Sequence, residues 1–162
     1  MLTSKGEAGE PGSTAREWRV VLVEDDEPLA GLLVRYLKRL NLEVAACFSR
    51  PSDALQSLRH ERADLLITDL TLGVESGAEL ARSALALNAG TRVLLMSGYP
   101  YEPHGFPLGA RLVFLQKPFQ PNMLQDAIRL LLEDSVMADQ DGVRTSAASN
   151  LAAKLSPDSD HN

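Results

Sequence analysis

The sequence contains one cysteine, Cys47, and three scattered histidines in 162 residues. A single cysteine cannot form an internal disulfide bond, and it cannot supply the several thiolates of a structural zinc site. No apolar run approaches the roughly 18 residues of a membrane span, and the first residues lack the hydrophobic stretch of a signal peptide. We therefore expect a cytoplasmic protein, without membrane insertion, whose chemistry relies on oxygen ligands.

Positive charge is also in short supply. Lys and Arg number 16 against 22 Asp and Glu, which gives a formal net charge of −6. Direct binding of nucleic acid is not expected, because such surfaces need clustered Lys and Arg to neutralise phosphates. With 44% hydrophobic residues the chain can bury a core, and its length suits one domain with spare chain at the ends.

The composition divides the chain into three parts. Residues 1–17 are rich in glycine and charged side chains, and residues 135–162 are similarly poor in apolar ones. Both segments are expected to be flexible, because they offer too little apolar surface to offset the entropy of ordering them. Residues 18–134 are expected to form the folded domain.

Within the folded domain, short apolar runs of strand length alternate with segments of helical periodicity. The strand-like runs are residues 19–23, 43–48, 64–68, 91–96 and 111–116. The helical repeats are residues 29–40, 51–60, 77–88 and 123–131. This alternation predicts an α/β fold, a doubly wound five-stranded parallel sheet of flavodoxin-like type with helices on both faces.

Polar residues follow four of these strands, and in such sheets ligands bind outside the carboxyl ends of the strands. Glu24 to Glu27 follow the first strand, Asp69 the third, Ser97 the fourth and Lys117 the fifth. Taken singly, the acidic run also suits a solvated loop, Asp69 a capping residue, and Lys117 a salt-bridge partner of the acids. Carboxylates gathered at one edge repel each other unless a cation neutralises them, and their hard oxygens suit Mg²⁺.

The same edge holds the groups that phosphoryl transfer requires. Asp69, a carboxylate beside Mg²⁺, can attack phosphorus and give an aspartyl phosphate. Lys117 can neutralise one phosphoryl oxygen, and the Ser97 hydroxyl can donate a hydrogen bond to another. Because phosphoryl transfer depends mostly on positioning and charge neutralisation, these residues are sufficient for it.

Four segments resemble the signature segments of the response regulator receiver domain of two-component signalling, the CheY-like fold. They are VVLVEDDEPLAGLL, LLITDLTLGVESGAEL, VLLMSGYP and FLQKPFQP, and the similarity covers residues 18–134 in order. The segments SGY and FLQKPF look most like those of receivers attached to hybrid histidine kinases. The family also commonly has a cis peptide bond before the proline that is Pro118 here.

The resemblance implies a role for each residue of the candidate site. Asp69 is the phospho-acceptor, assisted by Lys117 and Ser97. The implied Mg²⁺ ligands are Glu24, Asp25, Asp69 and the backbone carbonyl of Thr71, and the implied switch residues are Ser97 and Phe114. Asp26 could be mistaken for a member of the acidic pair, but the pair directly follows the apolar strand, so Asp26 is expected at the helix entry.

Residues 99–109, YPYEPHGFPLG, depart from the family, which usually has its fourth helix there. Three prolines and two glycines make a regular helix unlikely, because an internal proline costs about 3 kcal/mol and a glycine about 1 kcal/mol. We expect this helix to be reduced or irregular. Its exposed aromatic residues suit either a recognition surface or a loop folded over the rim of the sheet.

The resemblance implies a stand-alone receiver that is phosphorylated by a sensor histidine kinase or a histidine phosphotransfer protein and signals to an unknown downstream protein. It is not an enzyme in the turnover sense, although it assists its own phosphorylation and dephosphorylation. Residues 135–162 are too few for a DNA-binding output domain. Two alternatives stay open: a phosphorylation-independent interaction module, and a flavin-binding protein of the same fold, which would want a phosphate-binding loop where the acidic run lies.

Overall fold

The computed structural model describes residues 17–133. Residues 1–16 of the predicted leader, residue 134 and the predicted tail, residues 135–162, lie outside the described residues, so the three domain bounds stay predictions. In the described part, no helix is long and apolar enough to cross a membrane.

Seven strands and four helices make up residues 17–133. The strands are β1 (Val20–Val23), β2 (Val44–Phe48), β3 (Leu65–Asp69), β4 (Thr71–Leu72), β5 (Glu75–Ser76), β6 (Arg92–Ser97) and β7 (Leu112–Gln116). The helices are α1 (Glu27–Arg39), α2 (Pro51–His60), α3 (Gly77–Leu87) and α4 (Pro121–Leu132).

Five of the strands form a parallel sheet in the order β2-β1-β3-β6-β7. The inner strands β1, β3 and β6 are buried at every position, which explains their nearly continuous apolar sequences. Val20 and Leu22 belong to a buried cluster with residues of α1 and α4, whereas Val21 and Val23 belong to a cluster with residues of α2 and α3. Because alternate strand residues point to opposite faces, helices cover both faces, and the predicted doubly wound fold is confirmed.

The helices begin at the residues that the sequence marks for this. Asp26 is the N-cap of α1, and its side chain accepts a hydrogen bond from the Leu29 N–H at 2.9 Å. Ser76 caps α3 in the same way. Pro51 and Pro121 are the first residues of α2 and α4, where the missing N–H has no partner to lose. The prediction that Asp26 belongs to the helix entry is therefore confirmed.

A small hairpin, β4 and β5, follows β3 directly. Thr71 pairs with Ser76 across it, and Gly73 adopts a positive φ of 65° in its turn. Glu75 attaches the hairpin to the start of α2, because its carboxylate accepts a 2.7 Å hydrogen bond from the Ser52 N–H. The hairpin is therefore attached to the sheet where β4 follows β3, and to α2 through Glu75.

Residues 98–111 connect β6 to β7 without a helix, as predicted for the reduced fourth helix. Gly105 and Gly109 adopt positive φ values of 72° and 82°, a backbone conformation that suits glycine and not a helix. Tyr101 and Phe106 pack against the buried cluster that contains Val93 of β6 and residues of α2 and α3. Aromatic side chains of this segment therefore pack against the sheet in the place of the family's usual fourth helix.

Candidate functional site

Four of the predicted site residues lie at one edge of the sheet. Asp69 is the last residue of β3 and Ser97 the last of β6, while Glu24 directly follows β1 and Lys117 directly follows β7. The strands β1, β3, β6 and β7 are parallel neighbours in that order, so their carboxyl ends meet at the same edge. The sheet therefore brings together residues that are distant in the sequence.

Lys117 joins the two acidic residues of this edge. Its ammonium Nζ donates a hydrogen bond to Glu24 Oε2 at 2.9 Å and another to Asp69 Oδ2. The Glu24 side chain is only 1% exposed and that of Asp69 12%, so both carboxylates depend on Lys117 for neutralisation. Lys117 is therefore a salt-bridge partner of the acidic residues, the first of its two interpretations. One of those acidic residues, Asp69, is the predicted phospho-acceptor.

Burial and pairing act in opposite directions on these charges. Burial raises the pKa of Glu24 above its ordinary value, and the hydrogen bond from Lys117 only partly opposes this rise. Burial alone would lower the pKa of Lys117, but its hydrogen bonds to Asp69 and Glu24, together with their charges, raise that pKa overall. Lys117 therefore stays protonated at neutral pH and places a fixed positive charge beside Asp69.

The Asp69 carboxylate is held at both oxygens. Oδ1 accepts a hydrogen bond from the Thr71 N–H at 2.9 Å, while Oδ2 contacts Lys117. The start of α3 lies against the Asp69 backbone, since a Cβ on Gly77 would lie 1.7 Å from the Asp69 carbonyl oxygen. Glycine at position 77 is therefore required for this approach, a role that our sequence analysis did not assign to it.

Ser97 is 3% exposed, and it accepts hydrogen bonds from two backbone N–H groups. Its hydroxyl oxygen accepts a hydrogen bond from the Tyr99 N–H at 3.1 Å, and its carbonyl accepts one from the Lys117 N–H at 2.7 Å. The hydroxyl proton remains available for donation to a ligand. The peptide bond between Lys117 and Pro118 is cis, as predicted.

Phe114 lies on β7, half-buried, and packs against Tyr101 of the 98–111 segment, with ring centroids 6.0 Å apart. The implied switch role of Phe114 stays a prediction, and the structure links this side chain to the segment that replaces the fourth helix.

The acidic residues have the chemistry of a Mg²⁺ site. Asp25 is exposed beside buried Glu24. Glu24 and Asp69 share the single ammonium of Lys117, so these two carboxylates carry more negative charge than Lys117 neutralises, and hard oxygens of this kind suit a divalent cation. Within residues 17–133, no three His, Cys, Asp or Glu side chains are close enough to form a metal cluster by themselves. A cation here would therefore need further oxygens, such as the predicted Thr71 carbonyl and water.

An apolar groove of about 560 Å³ opens next to the candidate site, between α1 and α4. The sequence pattern did not indicate this groove, because Leu32 fits the apolar repeat of α1 and only the structure shows that it is 55% exposed. The groove is lined by Leu29, Leu32, Leu33, Tyr36, Gly98, Lys117, Pro118, Phe119, Pro121 and Leu124.

Comparisons with known proteins agree with this fold. A family model described as the response regulator receiver domain matches residues 20–129. The transcriptional regulatory protein CreB of Escherichia coli (strain K12) is 34% identical over 116 residues, which are 70% of this chain and 50% of CreB. The response regulator receiver protein CpdR of Brucella abortus (strain 2308) is 30% identical over 81 residues, 50% of this chain and 67% of CpdR.

Among solved structures, a CheY-like response regulator receiver domain protein from Methanospirillum hungatei JF-1 is similar, with a TM-score of 0.62 and 26% identity. The match covers 70% of this chain and 92% of that structure. The chain thus spans about half the length of CreB and most of a solved receiver domain protein.

Proposed function

Since this chain belongs to the response regulator receiver domain family of two-component signalling, we propose that it accepts a phosphoryl group on Asp69. The donor is a sensor histidine kinase or a histidine phosphotransfer protein. The observation that carries the proposal is the contact between Lys117 Nζ and Asp69, at a strand end where buried Glu24 shares the same ammonium. The domain acts as a phospho-accepting signalling module rather than as an enzyme with turnover.

The transfer is a substitution at phosphorus. A carboxylate oxygen of Asp69 forms the new P–O bond, and the P–N bond of a phosphohistidine breaks. The other ring nitrogen of the phosphohistidine first takes a proton from water, the electron pair of the P–N bond returns to the ring nitrogen that held phosphorus, and neutral imidazole leaves. Lys117 then neutralises a phosphoryl oxygen, and the Ser97 hydroxyl donates to another, so that the charge spread over the transferred group is stabilised.

Mg²⁺ is the cofactor that these residues suit. Glu24, Asp25, Asp69 and the backbone carbonyl of Thr71 would hold it. Bound there, the cation would neutralise negative charge on the carboxylates and on the phosphoryl oxygens. Support comes from the carboxylates of Glu24 and Asp69, which share the single ammonium of Lys117, and from the oxygen-only donor set.

The α1–α4 groove is the surface that we propose for the phosphodonor protein. It is largely apolar, and Lys117 and Pro118 form part of its lining, so a helix docked there would place a histidine beside the acceptor. The signal is then passed on by protein–protein contact, because phosphorylation changes the charge at the strand ends and biases the neighbouring surface.

The test is incubation of the purified protein with acetyl phosphate and Mg²⁺, followed by intact-protein mass spectrometry. We expect a mass gain of one phosphoryl group, lost in Asp69→Asn and when Mg²⁺ is removed with a chelator. Asp53→Asn, an exposed aspartate in the first turn of α2, is the matched control and should be phosphorylated like the wild type. A wild-type protein that gains no mass would favour the phosphorylation-independent module, and a gain retained in Asp69→Asn would place the acceptor elsewhere.

A further inference from the structure

The polar contacts between α3 and residues 98–111 come from the side chain of Arg82. Its Nη2 donates a hydrogen bond to the His104 carbonyl at 3.0 Å and lies 3.5 Å from the Tyr101 hydroxyl, at the limit for a hydrogen bond. The guanidinium carbon lies 5.0 Å from the centre of the Phe106 ring, within the range of a cation–π contact. Arg82 thus contacts three residues of a segment that has no regular hydrogen-bonding pattern of its own.

The shape of the segment is fitted to this side chain. Gly105 lies between two of the contacted residues, with a positive φ of 72°, and a Cβ built on it would be 3.4 Å from Arg82 Nε. A larger residue at position 105 would be strained by its backbone conformation, and its Cβ would be in van der Waals contact with the guanidinium. Lysine could not replace Arg82 fully, because its ammonium lacks the planar fork that serves the carbonyl and the ring together.

The segment held by Arg82 also contacts the phosphoryl site. Tyr99 donates its N–H to the Ser97 hydroxyl oxygen at 3.1 Å, and Tyr101, two residues on, is one of the residues that Arg82 contacts. The Tyr101 ring packs against Phe114 of β7. Movement of the segment would therefore move the amide that orients the Ser97 hydroxyl, while the contacts of Lys117, which follows β7, would stay in place.

We propose that Arg82 is a positioning residue for phosphoryl transfer. It fixes residues 98–111 on α3, and through the Tyr99 amide it holds the Ser97 hydroxyl ready to donate to the phosphoryl group. This inference rests on the proposed function, in which Ser97 makes that donation. It assigns to the segment that replaces the fourth helix a role in the reaction at Asp69.

The experiment compares full-length wild type with Arg82→Ala, Arg82→Lys, Ser97→Ala and the Arg82→Ala/Ser97→Ala double variant. The first measurement is amide hydrogen exchange in residues 99–109, and the second is the rate of phosphorylation by acetyl phosphate with Mg²⁺. Arg59→Ala, an exposed arginine in the last turn of α2, is the control. Circular dichroism of each variant checks that the fold is retained.

We expect faster exchange in residues 99–109 of Arg82→Ala and a phosphorylation rate reduced by about 3- to 10-fold, the effect of losing one well-placed hydrogen bond. The double variant should be no slower than Ser97→Ala, because Arg82 acts through Ser97. Arg82→Lys should lie between wild type and Arg82→Ala, and Arg59→Ala should match the wild type.

Unchanged exchange in Arg82→Ala would overturn the attachment. Faster exchange with an unchanged rate, or additive losses in the double variant, would overturn the positioning role. If the wild type itself takes no phosphoryl group, the proposed function fails and the role in the reaction fails with it, while the exchange measurement still decides whether Arg82 attaches the segment.

Discussion

Replacement of Gly77 by alanine should damage both the stability of the domain and its candidate site. Gly77 is the first residue of α3, and the added Cβ would lie 1.7 Å from the Asp69 carbonyl oxygen, 2.8 Å from its carbonyl carbon and 2.9 Å from the Thr68 hydroxyl oxygen. Ordinary contacts of a Cβ begin near 3.4 Å, so the helix or the end of β3 must move by about half that distance. The two nearest obstructing atoms, the carbonyl oxygen and carbon of Asp69, belong to the backbone and cannot turn away.

The magnitude follows from two opposing effects. Overpacking of this kind typically costs about 1–3 kcal/mol and sometimes more, and a backbone clash belongs at the upper end. Alanine recovers up to about 1 kcal/mol, because it loses less chain entropy than glycine on folding. We expect Gly77→Ala to lower the free energy of unfolding by about 2 kcal/mol or more, a large part of the 5–15 kcal/mol typical of a domain.

Urea denaturation followed by the fluorescence of Trp18, the one tryptophan of the chain, measures this loss. Gly31→Ala is the matched control, because Gly31 lies inside α1 with nothing within 4 Å of an added Cβ. It should raise the free energy of unfolding by about 0.5–1 kcal/mol. Equal stability of Gly77→Ala and wild type, or equal shifts in the two alanine variants, would refute the reasoning. We also expect Gly77→Ala to be poorly phosphorylated below its unfolding midpoint.

Two further variants test other contacts. Asp26→Ala removes the N-cap of α1, whose side chain accepts from the Leu29 N–H, and should cost about 1 kcal/mol in urea denaturation; an unchanged midpoint would count against the cap. Arg92→Met deprives the Leu131 carbonyl of a 2.7 Å hydrogen bond and the Trp18 ring of a cation 4.6 Å away, so it should cost about 1–3 kcal/mol and change the folded-state emission of Trp18. A variant with the Trp18 emission and the stability of the wild type would contradict this prediction.

Much of the fold follows from local sequence pattern. Apolar runs in β1, β3 and β6 predicted strands buried on both faces, and the period of α1 and α4 predicted helices with one apolar side. Prolines at positions 51 and 121 marked helix starts correctly. The prolines and glycines of residues 99–109 predicted that the fourth helix would be reduced, because proline restricts the backbone and glycine frees it in any surroundings.

The candidate site was predictable in part, for a topological reason. Once the strands are parallel, their carboxyl ends share one edge, so Asp69, Ser97 and Lys117 were expected there from chain order alone. The pattern could not say that Asp25 would be exposed while its neighbour Glu24 is buried. The buried carboxylate, that of Glu24, is the one that accepts a hydrogen bond from Lys117.

The sequence alone therefore determined the type of the five strands of the main sheet and of the four helices, the faces they bury and the residues at the strand ends, because these depend on neighbours a few positions away. It did not indicate the hairpin of β4 and β5. Only the tertiary structure decided which side chains meet. Lys117 pairs with Glu24 across 93 positions of sequence, Arg82 contacts His104 across 22, and Gly77 admits the Asp69 carbonyl at a distance no side chain would allow. Such contacts depend on how whole elements pack, and local periodicity carries no information about them.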